Sequence, residues 1–220
     1  MNQMDIEQAR FNMIEQQVRP WDVLDQQVLD TMERTPREAF VPEKYRALAF
    51  ADINIPLGHE QVMMAPKVEG RLLQALAITP GDSVLEIGTG SGYLTACLAA
   101  LGNHVTSYEI FPDLSQAAAE KLAANGCRNV TLIEGDAAGG IDRSTRYDVI
   151  AVTGSLPELR TTFHKNLSNG GRLFMVTGTP PVMEAVLVTR IDDYNWKTES
   201  LFETSLPPLV NAVTEKRFEL

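Results

Sequence analysis

A short apolar run that ends at Ile87 is followed by three glycines that alternate with other residues. The segment reads Leu-Glu-Ile-Gly-Thr-Gly-Ser-Gly-Tyr over residues 85–93. Glycine is needed where a chain turns tightly and where a ligand presses against bare backbone. A loop between a buried strand and a helix, at the carboxyl end of a parallel sheet, is where open α/β folds bind nucleotides. The segment therefore predicts a site for a nucleotide-like ligand.

The spacing of the glycines distinguishes between two such ligands. A dinucleotide fingerprint, G-x-G-x-x-G/A, would require glycine or alanine at position 93, where this chain has Tyr93. The pattern is instead E-x-G-x-G-x-G, and its carboxylate, Glu86, would repel a pyrophosphate but suits a ligand with an ammonium and a sulfonium. S-adenosylmethionine carries both groups and is favoured over a nicotinamide dinucleotide. The predicted binding residues in this loop are Glu86, Gly88, Thr89, Gly90, Ser91, Gly92 and Tyr93.

Two further acidic residues follow the next two predicted strands. Glu109 comes about 20 residues after the first glycine, where an acidic residue accepts the ribose hydroxyls of a bound nucleotide. Asp136, with Ala137 beside it, is placed to contact the adenine amino group. The competing interpretations are a surface carboxylate for Glu109 and a plain turn for Asp136.

The elements that must position these residues alternate between strands and helices. Strands are predicted at residues 83–87, 105–108, 130–133, 147–152, 172–176, 185–190 and 198–202. Helices between them are predicted at 92–100, 112–124 and 158–167. Alternation of this kind indicates a doubly wound, mostly parallel sheet. The last two strands, joined by a polar turn, are expected to form an antiparallel edge whose order is left open.

The first 78 residues have a different pattern. Apolar positions at helical spacing predict two amphipathic helices over residues 5–34, separated at Arg19-Pro20, with Asp22 as the N-cap of the second. Residues 35–66 contain four prolines and are predicted to be loop-rich, followed by a helix over 67–77. We expect a single domain over 1–220, with a helical and loop extension at 1–78 and an α/β core at 79–220.

Composition excludes several functional classes. The chain of 220 residues has 19 basic and 29 acidic side chains, a net charge of −10, which disfavours binding to nucleic acid or to anionic lipid. No stretch is long or apolar enough to span a membrane, and the N-terminus does not resemble a signal peptide, so we expect a cytoplasmic protein. Two cysteines, Cys97 and Cys127, are expected to be small buried residues, and no metal site is predicted.

Several segments together carry a family resemblance. They are Met13-Ile14-Glu15-Gln16-Gln17, Thr35-Pro36-Arg37-Glu38-Ala39-Phe40-Val41-Pro42, Ala51-Asp52, Ile55-Pro56-Leu57-Gly58-His59, Ala65-Pro66, the glycine loop, Tyr147-Asp148 and Gly170-Gly171-Arg172-Leu173. The glycine loop resembles that of the seven-strand S-adenosylmethionine-dependent methyltransferases, which have a Rossmann-like fold. The chain as a whole resembles the protein-L-isoaspartate O-methyltransferase family, and the Pro-Leu-Gly-His and Ala-Pro elements are the more specific part of that resemblance.

The resemblance implies a protein-repair enzyme that methylates the α-carboxylate of isoaspartyl residues. Such a carboxylate has a pKa of roughly 3.5–4 and is already ionised at pH 7, so the transfer needs little acid–base help. The enzyme must hold it in line with the methyl donor and exclude water. His59 lies in the substrate-side loop, where it would gate the pocket or be an ordinary loop histidine.

The substrate-side segment departs from the family pattern. Family members usually have Gln-Thr-Ile-Ser there, with the Thr and Ser hydroxyls facing the substrate carboxylate. This chain has Gln61-Val62-Met63-Met64, so Val62 and Met64 stand at the positions that match those catalytic residues. Each missing hydroxyl is worth about 1–3 kcal/mol to a buried carboxylate.

Three hypotheses for the function follow. The first is isoaspartyl O-methylation, with a damaged protein or peptide as the partner. The second keeps S-adenosylmethionine but has an unidentified small-molecule or other acceptor, because Val62 and Met64 would line an apolar pocket. The third is a protein that binds S-adenosylmethionine without catalysis. In each case we expect a monomer or a homodimer.

Overall fold

The computed structural model describes residues 3–142, 144–159 and 162–212. Its α-helices are α1 (Gln3–Met13), α2 (Gln26–Arg34), α3 (Arg37–Phe40), α4 (Pro66–Leu76), α5 (Tyr93–Leu101) and α6 (Pro112–Ala124). Its strands are β1 (Ile55–Gly58), β2 (Gln61–Met63), β3 (Ser83–Ile87), β4 (His104–Glu109), β5 (Val130–Glu134), β6 (Tyr147–Leu156), β7 (Leu167–Thr179), β8 (Val182–Arg190) and β9 (Trp196–Glu203).

Seven strands form one sheet in the order β5-β4-β3-β6-β7-β8-β9. The first five strands in this order, β5, β4, β3, β6 and β7, run parallel to one another. Strand β8 pairs antiparallel with β7, and β9 pairs antiparallel with β8. The predicted fold class, a doubly wound and mostly parallel sheet with an antiparallel C-terminal edge, is confirmed. Because β3 lies between β4 and β6, the chain reverses its winding there, and the carboxyl ends at this switch point border a crevice.

The N-terminal segment begins as predicted but is capped differently. Helix α1 runs on as a π-helix over Ile14–Val18 and a 3-10 turn over Arg19–Trp21. The predicted N-cap, Asp22, instead ends that turn in the left-handed conformation with φ 59°. The N-cap of α2 is Asp25, whose carboxylate accepts from the backbone N–H groups of Gln27 and Val28. The prediction for Asp22 is therefore wrong, because the turn after Pro20 carries the chain three residues further.

Two other elements differ from the predictions. The region predicted as loop-rich contains an antiparallel hairpin of β1 and β2, which is too short to produce a clear apolar alternation. The helix predicted over 158–167 is not found in the described residues of that range, which exclude 160 and 161. Within this range, His164–Asn166 form a short 3-10 turn, and β7 begins directly after it at Leu167.

One apolar cluster unites the N-terminal helices with one face of the sheet. It includes fully buried Met13 and Val18 from the first segment, Leu72 and Leu73 of α4, and Phe174 of β7. Burial of this apolar cluster holds α4 and the hairpin against the sheet. Cys97 is buried as expected, whereas Cys127 is only half-buried. Among the described residues, no helix has the length and apolar character needed to cross a membrane.

Candidate active site

An open cleft lies at the carboxyl ends of β3, β4, β5 and β6. The space in and at the mouth of the cleft, including what is open to solvent, is about 780 Å³. One wall is formed by the loops after these strands and the other by the β1–β2 hairpin and α4. The residues that line the cleft include Leu57, Gln61, Val62, Met63, Met64, Glu69, Gly88, Thr89, Gly90, Ser91, Glu109, Phe111, Asp136, Ala137, Thr153, Leu209 and Val210.

The glycine loop forms a cradle of bare backbone at the centre of the cleft. Gly88 has φ +98°, and a Cβ there would lie 2.4 Å from Thr153 Oγ1. Gly90 has φ +53°, and its Cβ would lie 3.1 Å from Leu57. Both positions therefore disfavour any side chain, for conformational and for steric reasons. The backbone N–H of Gly88 donates to Tyr108 O at 2.8 Å, which ties the loop to β4.

Glu109, at the end of β4, holds the same loop from the side. One carboxylate oxygen accepts from Gly90 N at 2.8 Å and the other from Phe111 N at 3.1 Å. The side chain lines the cleft although the residue is only 5% exposed. Since each carboxylate oxygen has a further lone pair, Glu109 can still accept a hydrogen bond from a bound ligand.

Asp136 and Ala137 form the far end of the cleft. Asp136 accepts from Ala138 N through one oxygen and from Asn211 Nδ2 through the other, both at 2.9 Å. Asn211 belongs to a segment, residues 204–212, that follows the last strand and adds Leu209 and Val210 to the lining. The apolar residues of this segment, Leu206, Leu209 and Val210, are the only signal in the sequence for that position.

This C-terminal segment is anchored to β6. Ser155 N donates to Pro207 O, and Leu209 N donates to Ser155 O, each at 2.9 Å. Ser155 Oγ also donates to Leu206 O at 3.0 Å. These bonds lay the segment along the end of the central strand, so it narrows the cleft beside the glycine loop.

The wall formed by the β1–β2 hairpin and α4 contains a buried ion pair that no sequence pattern indicated. Glu69 of α4 is 1% exposed and lines the cleft, while Arg37 of α3 is fully buried behind it. Arg37 Nη1 donates to Glu69 Oε2, and the other guanidinium nitrogens donate to Ala49 O at 2.8 Å and to Met64 O at 2.6 Å. Burial raises the pKa of Glu69 to about 7, although the charge of Arg37 and its hydrogen bond lower it.

This architecture is accompanied by similarity across almost the whole sequence. The family model described as protein-L-isoaspartate(D-aspartate) O-methyltransferase (PCMT) matches residues 8–214. The chain belongs to this family.

Individual members of the PCMT family are similar over most of their length. The protein-L-isoaspartate O-methyltransferase of Rhodopseudomonas palustris is 37% identical over 201 residues, 91% of this chain and 92% of its own. That of Aeropyrum pernix is 36% identical over 207 residues, 92% of this chain and 80% of its own. The predicted family, and with it the O-methyltransferase class, is confirmed.

Solved structures agree on the fold. A Plasmodium falciparum protein described as a protein-L-isoaspartate O-methyltransferase, crystallised with S-adenosyl-L-homocysteine, superposes with a TM-score of 0.77 at 20% identity. The superposition covers 93% of this chain and 97% of the other. A second structure titled protein-L-isoaspartate O-methyltransferase gives the same TM-score at 24% identity, covering 92% of this chain and 65% of the other.

Glu86 lies beneath the glycine loop instead of lining the cleft. The residue is fully buried, and its Oε2 accepts from Thr95 Oγ1 and Ser107 Oγ, each at 2.6 Å. Burial raises its pKa to about 8, so the carboxyl is mostly neutral at pH 7. The predicted direct attraction between a Glu86 carboxylate and the positive groups of the ligand is therefore wrong, because Glu86 is buried and does not line the cleft of this PCMT protein. Glu86 instead supports the loop from below.

Gly92 and Tyr93 also lie outside the lining of the cleft. Gly92 has φ +84° and starts α5, and a Cβ there would lie 3.2 Å from Ala118. Tyr93 is fully buried and packs against Phe40, with its ring under the guanidinium of Arg37 at 4.7 Å. Both residues shape the loop from outside. Thr89, Gly90 and Ser91 line the cleft.

The substrate-side residues are divided between the cleft and its rim. Val62 and Met64 line the cleft, so the positions that matched the family's hydroxyl residues present apolar side chains. His59 lies at the hairpin tip outside the lining, stacked on Phe111 at 4.0 Å. Its Nε2 bonds the Asp113 carboxylate at 2.9 Å, and this bond lowers the pKa of Asp113. Lys67 pairs with Asp52 at 2.7 Å, outside the cleft lining.

Proposed function

We propose that this protein transfers the methyl group of S-adenosylmethionine to the free α-carboxylate of isoaspartyl residues in proteins or peptides. The observation that carries this proposal is the family match over residues 8–214, together with a cleft that has a nucleotide cradle on one wall and an apolar second wall. The relatives' names and the S-adenosyl-L-homocysteine in the Plasmodium falciparum structure support the same donor and acceptor. Cytoplasmic location, and a monomer or homodimer, stay predictions from the sequence.

The residues of the cleft fit S-adenosylmethionine. The glycine loop offers backbone at Gly88 and Gly90 where any Cβ would collide or strain the chain. We assign the ribose hydroxyls to Glu109 and the adenine end to Asp136 and Ala137, all of which line the cleft. Leu209 and Val210 would cover this end. When bound, S-adenosylmethionine supplies an electrophilic methyl group carried by a sulfonium.

The acceptor side has a different task. Its carboxylate is ionised at neutral pH, so the protein needs no general base to activate it. Leu57, Val62, Met63 and Met64 present apolar surface that excludes water from the reacting oxygen. The rate of methyl transfer then depends on how this wall orients the acceptor carboxylate towards the methyl group.

The direct test is methyl transfer from labelled S-adenosylmethionine to an isoaspartyl peptide. We expect transfer to the isoaspartyl form and none to the same peptide with normal aspartate, because only the former has a free α-carboxylate next to the altered linkage. The variant Glu134→Ala, which changes an exposed side chain at the end of β5, is the control for a purified variant protein and should transfer the methyl group like the wild type. Intact cofactor binding by calorimetry without any transfer would contradict the proposal.

A second candidate is a methyltransferase with another acceptor, favoured by the apolar side chains of Val62 and Met64 in the cleft. Restoring the hydroxyls in a Val62→Thr/Met64→Ser variant distinguishes the two. If isoaspartyl peptides are the substrate, we expect kcat/KM to rise at least about 30-fold, since the two hydroxyls contribute about 1–3 kcal/mol each to a buried carboxylate and the lower limit of their sum is about 2 kcal/mol. The apolar variant Val62→Ile/Met64→Leu should bring no gain. An unchanged kcat/KM in the restored variant would favour the other acceptor.

A further inference from the structure

Glu69 is an acidic side chain in the acceptor wall, which is the wall of the cleft formed by the β1–β2 hairpin and α4. It lies on α4 and lines the cleft together with Val62 and Met64. The assignment of the nucleotide to Glu109 and Asp136 does not use Glu69. A nearly buried carboxyl at the edge of a ligand cleft is costly unless it is paired or functional.

The pairing of Glu69 determines how charge reaches the cleft. Arg37 lies behind Glu69, is fully buried, and is outside the cleft lining. Its nitrogens are directed to Glu69, to Ala49 O and to Met64 O. The guanidinium therefore acts on an incoming ligand only through Glu69 and through the low dielectric between them.

The two protonation states of Glu69 present opposite surfaces to an anionic acceptor. Ionised, Glu69 cancels the charge of Arg37 and places a negative oxygen next to the incoming carboxylate. Neutral, it offers an O–H donor and leaves the positive charge of Arg37 uncompensated behind it. Only the second state attracts a carboxylate, because two carboxylates that share a site cannot both stay ionised at low cost.

We propose that Glu69 is a specificity-determining residue that binds the acceptor carboxylate in its neutral form, so that the isoaspartyl substrate binds together with one proton. The O–H of Glu69 donates to one carboxylate oxygen, in a wall where Val62 and Met64 offer no hydroxyl donor. Arg37 keeps its bonds to Met64 O and Ala49 O and supplies the positive charge. This inference rests on the proposed isoaspartyl substrate.

The groups around Glu69 are consistent with proton uptake near neutral pH. Desolvation raises the pKa of Glu69 to about 7 even against Arg37 of α3. The titratable groups that face it from α5 are Tyr93 and Cys97, and burial raises the pKa of both, to about 12 for Cys97, so both stay neutral. From β3, Glu86 has a pKa of about 8 and adds negative charge only at higher pH.

The test is the pH profile of the isoaspartyl KM in the wild type and in Glu69→Gln. In the wild type we expect KM to rise about tenfold per pH unit above pH 7, with little change in kcat, as one required proton is lost. In Glu69→Gln the amide accepts from Arg37 and donates to the acceptor at every pH, so this rise should disappear. Glu86 titrates in both proteins, so its titration does not account for a difference between their pH profiles. The variant Glu38→Gln, which neutralises the residue next to Arg37 outside the cleft lining, should keep the wild-type profile.

A second measurement does not depend on a variant. Binding of the isoaspartyl peptide to the wild type with S-adenosylhomocysteine present, measured by calorimetry at pH 8 in two buffers of different ionisation enthalpy, should show uptake of nearly one proton. Zero uptake, or the same rise of KM in Glu69→Gln as in the wild type, would overturn the role of Glu69 and leave the proposed function intact. Absence of methyl transfer at every pH would overturn the proposed function, and this inference with it.

Discussion

Replacing Glu109 with alanine is expected to weaken the binding of S-adenosylmethionine at least about 100-fold. Hydrogen bonds to charged groups contribute about 1.5–3 kcal/mol each, and two ribose hydroxyls are assigned to this carboxylate. The lower limit of that sum corresponds to a factor of about 100 in Kd. The same substitution also releases Gly90 N and Phe111 N, whose hydrogen bonds to Glu109 hold the glycine loop in place.

Calorimetric titration with S-adenosylmethionine measures this effect. The matched control is Glu134→Ala, which removes a carboxylate from the end of the neighbouring strand β5, where it is exposed and does not line the cleft. We expect the control to bind like the wild type. An unchanged Kd for a folded Glu109→Ala protein would show that the ribose assignment is wrong.

Glu109 could be placed from the sequence because a parallel sheet brings the carboxyl ends of its strands to one edge. The glycine loop after β3 and the acidic residue after β4 are separated by one helix, so their proximity follows from the alternation of strands and helices. The hydrogen bonds from Gly90 N and Phe111 N could not be predicted, since they depend on how the backbone turns after each strand.

Glu86 shows why neighbouring residues in a motif can have different roles. Successive side chains of a strand point to opposite faces, and both faces of a parallel sheet are covered. Glu86 points to the face covered by α5, where Thr95 and Ser107 satisfy one of its oxygens. The motif placed a carboxyl two positions before the first glycine, but it did not indicate that the side chain points away from the ligand.

The Arg37–Glu69 pair was beyond the reach of sequence patterns for another reason. Its members are 32 positions apart, and most of the intervening residues were predicted to be loop. Glu69 sits within a helix whose apolar positions dominate the pattern, so it looked like one polar residue of an amphipathic face. Only the packing of α3 behind α4 brings the two charges together and turns one of them towards the cleft.

Replacing Arg37 with methionine is expected to lower the free energy of unfolding by about 3–5 kcal/mol at pH 8, the cost of removing one partner of a buried pair. The substitution leaves Glu69 buried without its counter-ion and leaves Ala49 O and Met64 O without their donors. The loss should be smaller at pH 5, because the unpaired Glu69 then takes up a proton and no buried negative charge remains.

Urea unfolding at both pH values measures these free energies, and a second substitution identifies their origin. In the double variant Arg37→Met/Glu69→Leu no charge is left in the wall, so we expect much of the stability lost at pH 8 to return, while isoaspartyl KM stays impaired. The control Arg46→Met removes a cation whose pair with Glu43 is exposed, and should change stability by less than about 1 kcal/mol. Equal losses for Arg37→Met at pH 5 and pH 8 would mean that the charge of Glu69 contributes nothing, and that the lost carbonyl hydrogen bonds and packing of Arg37 account for the whole effect.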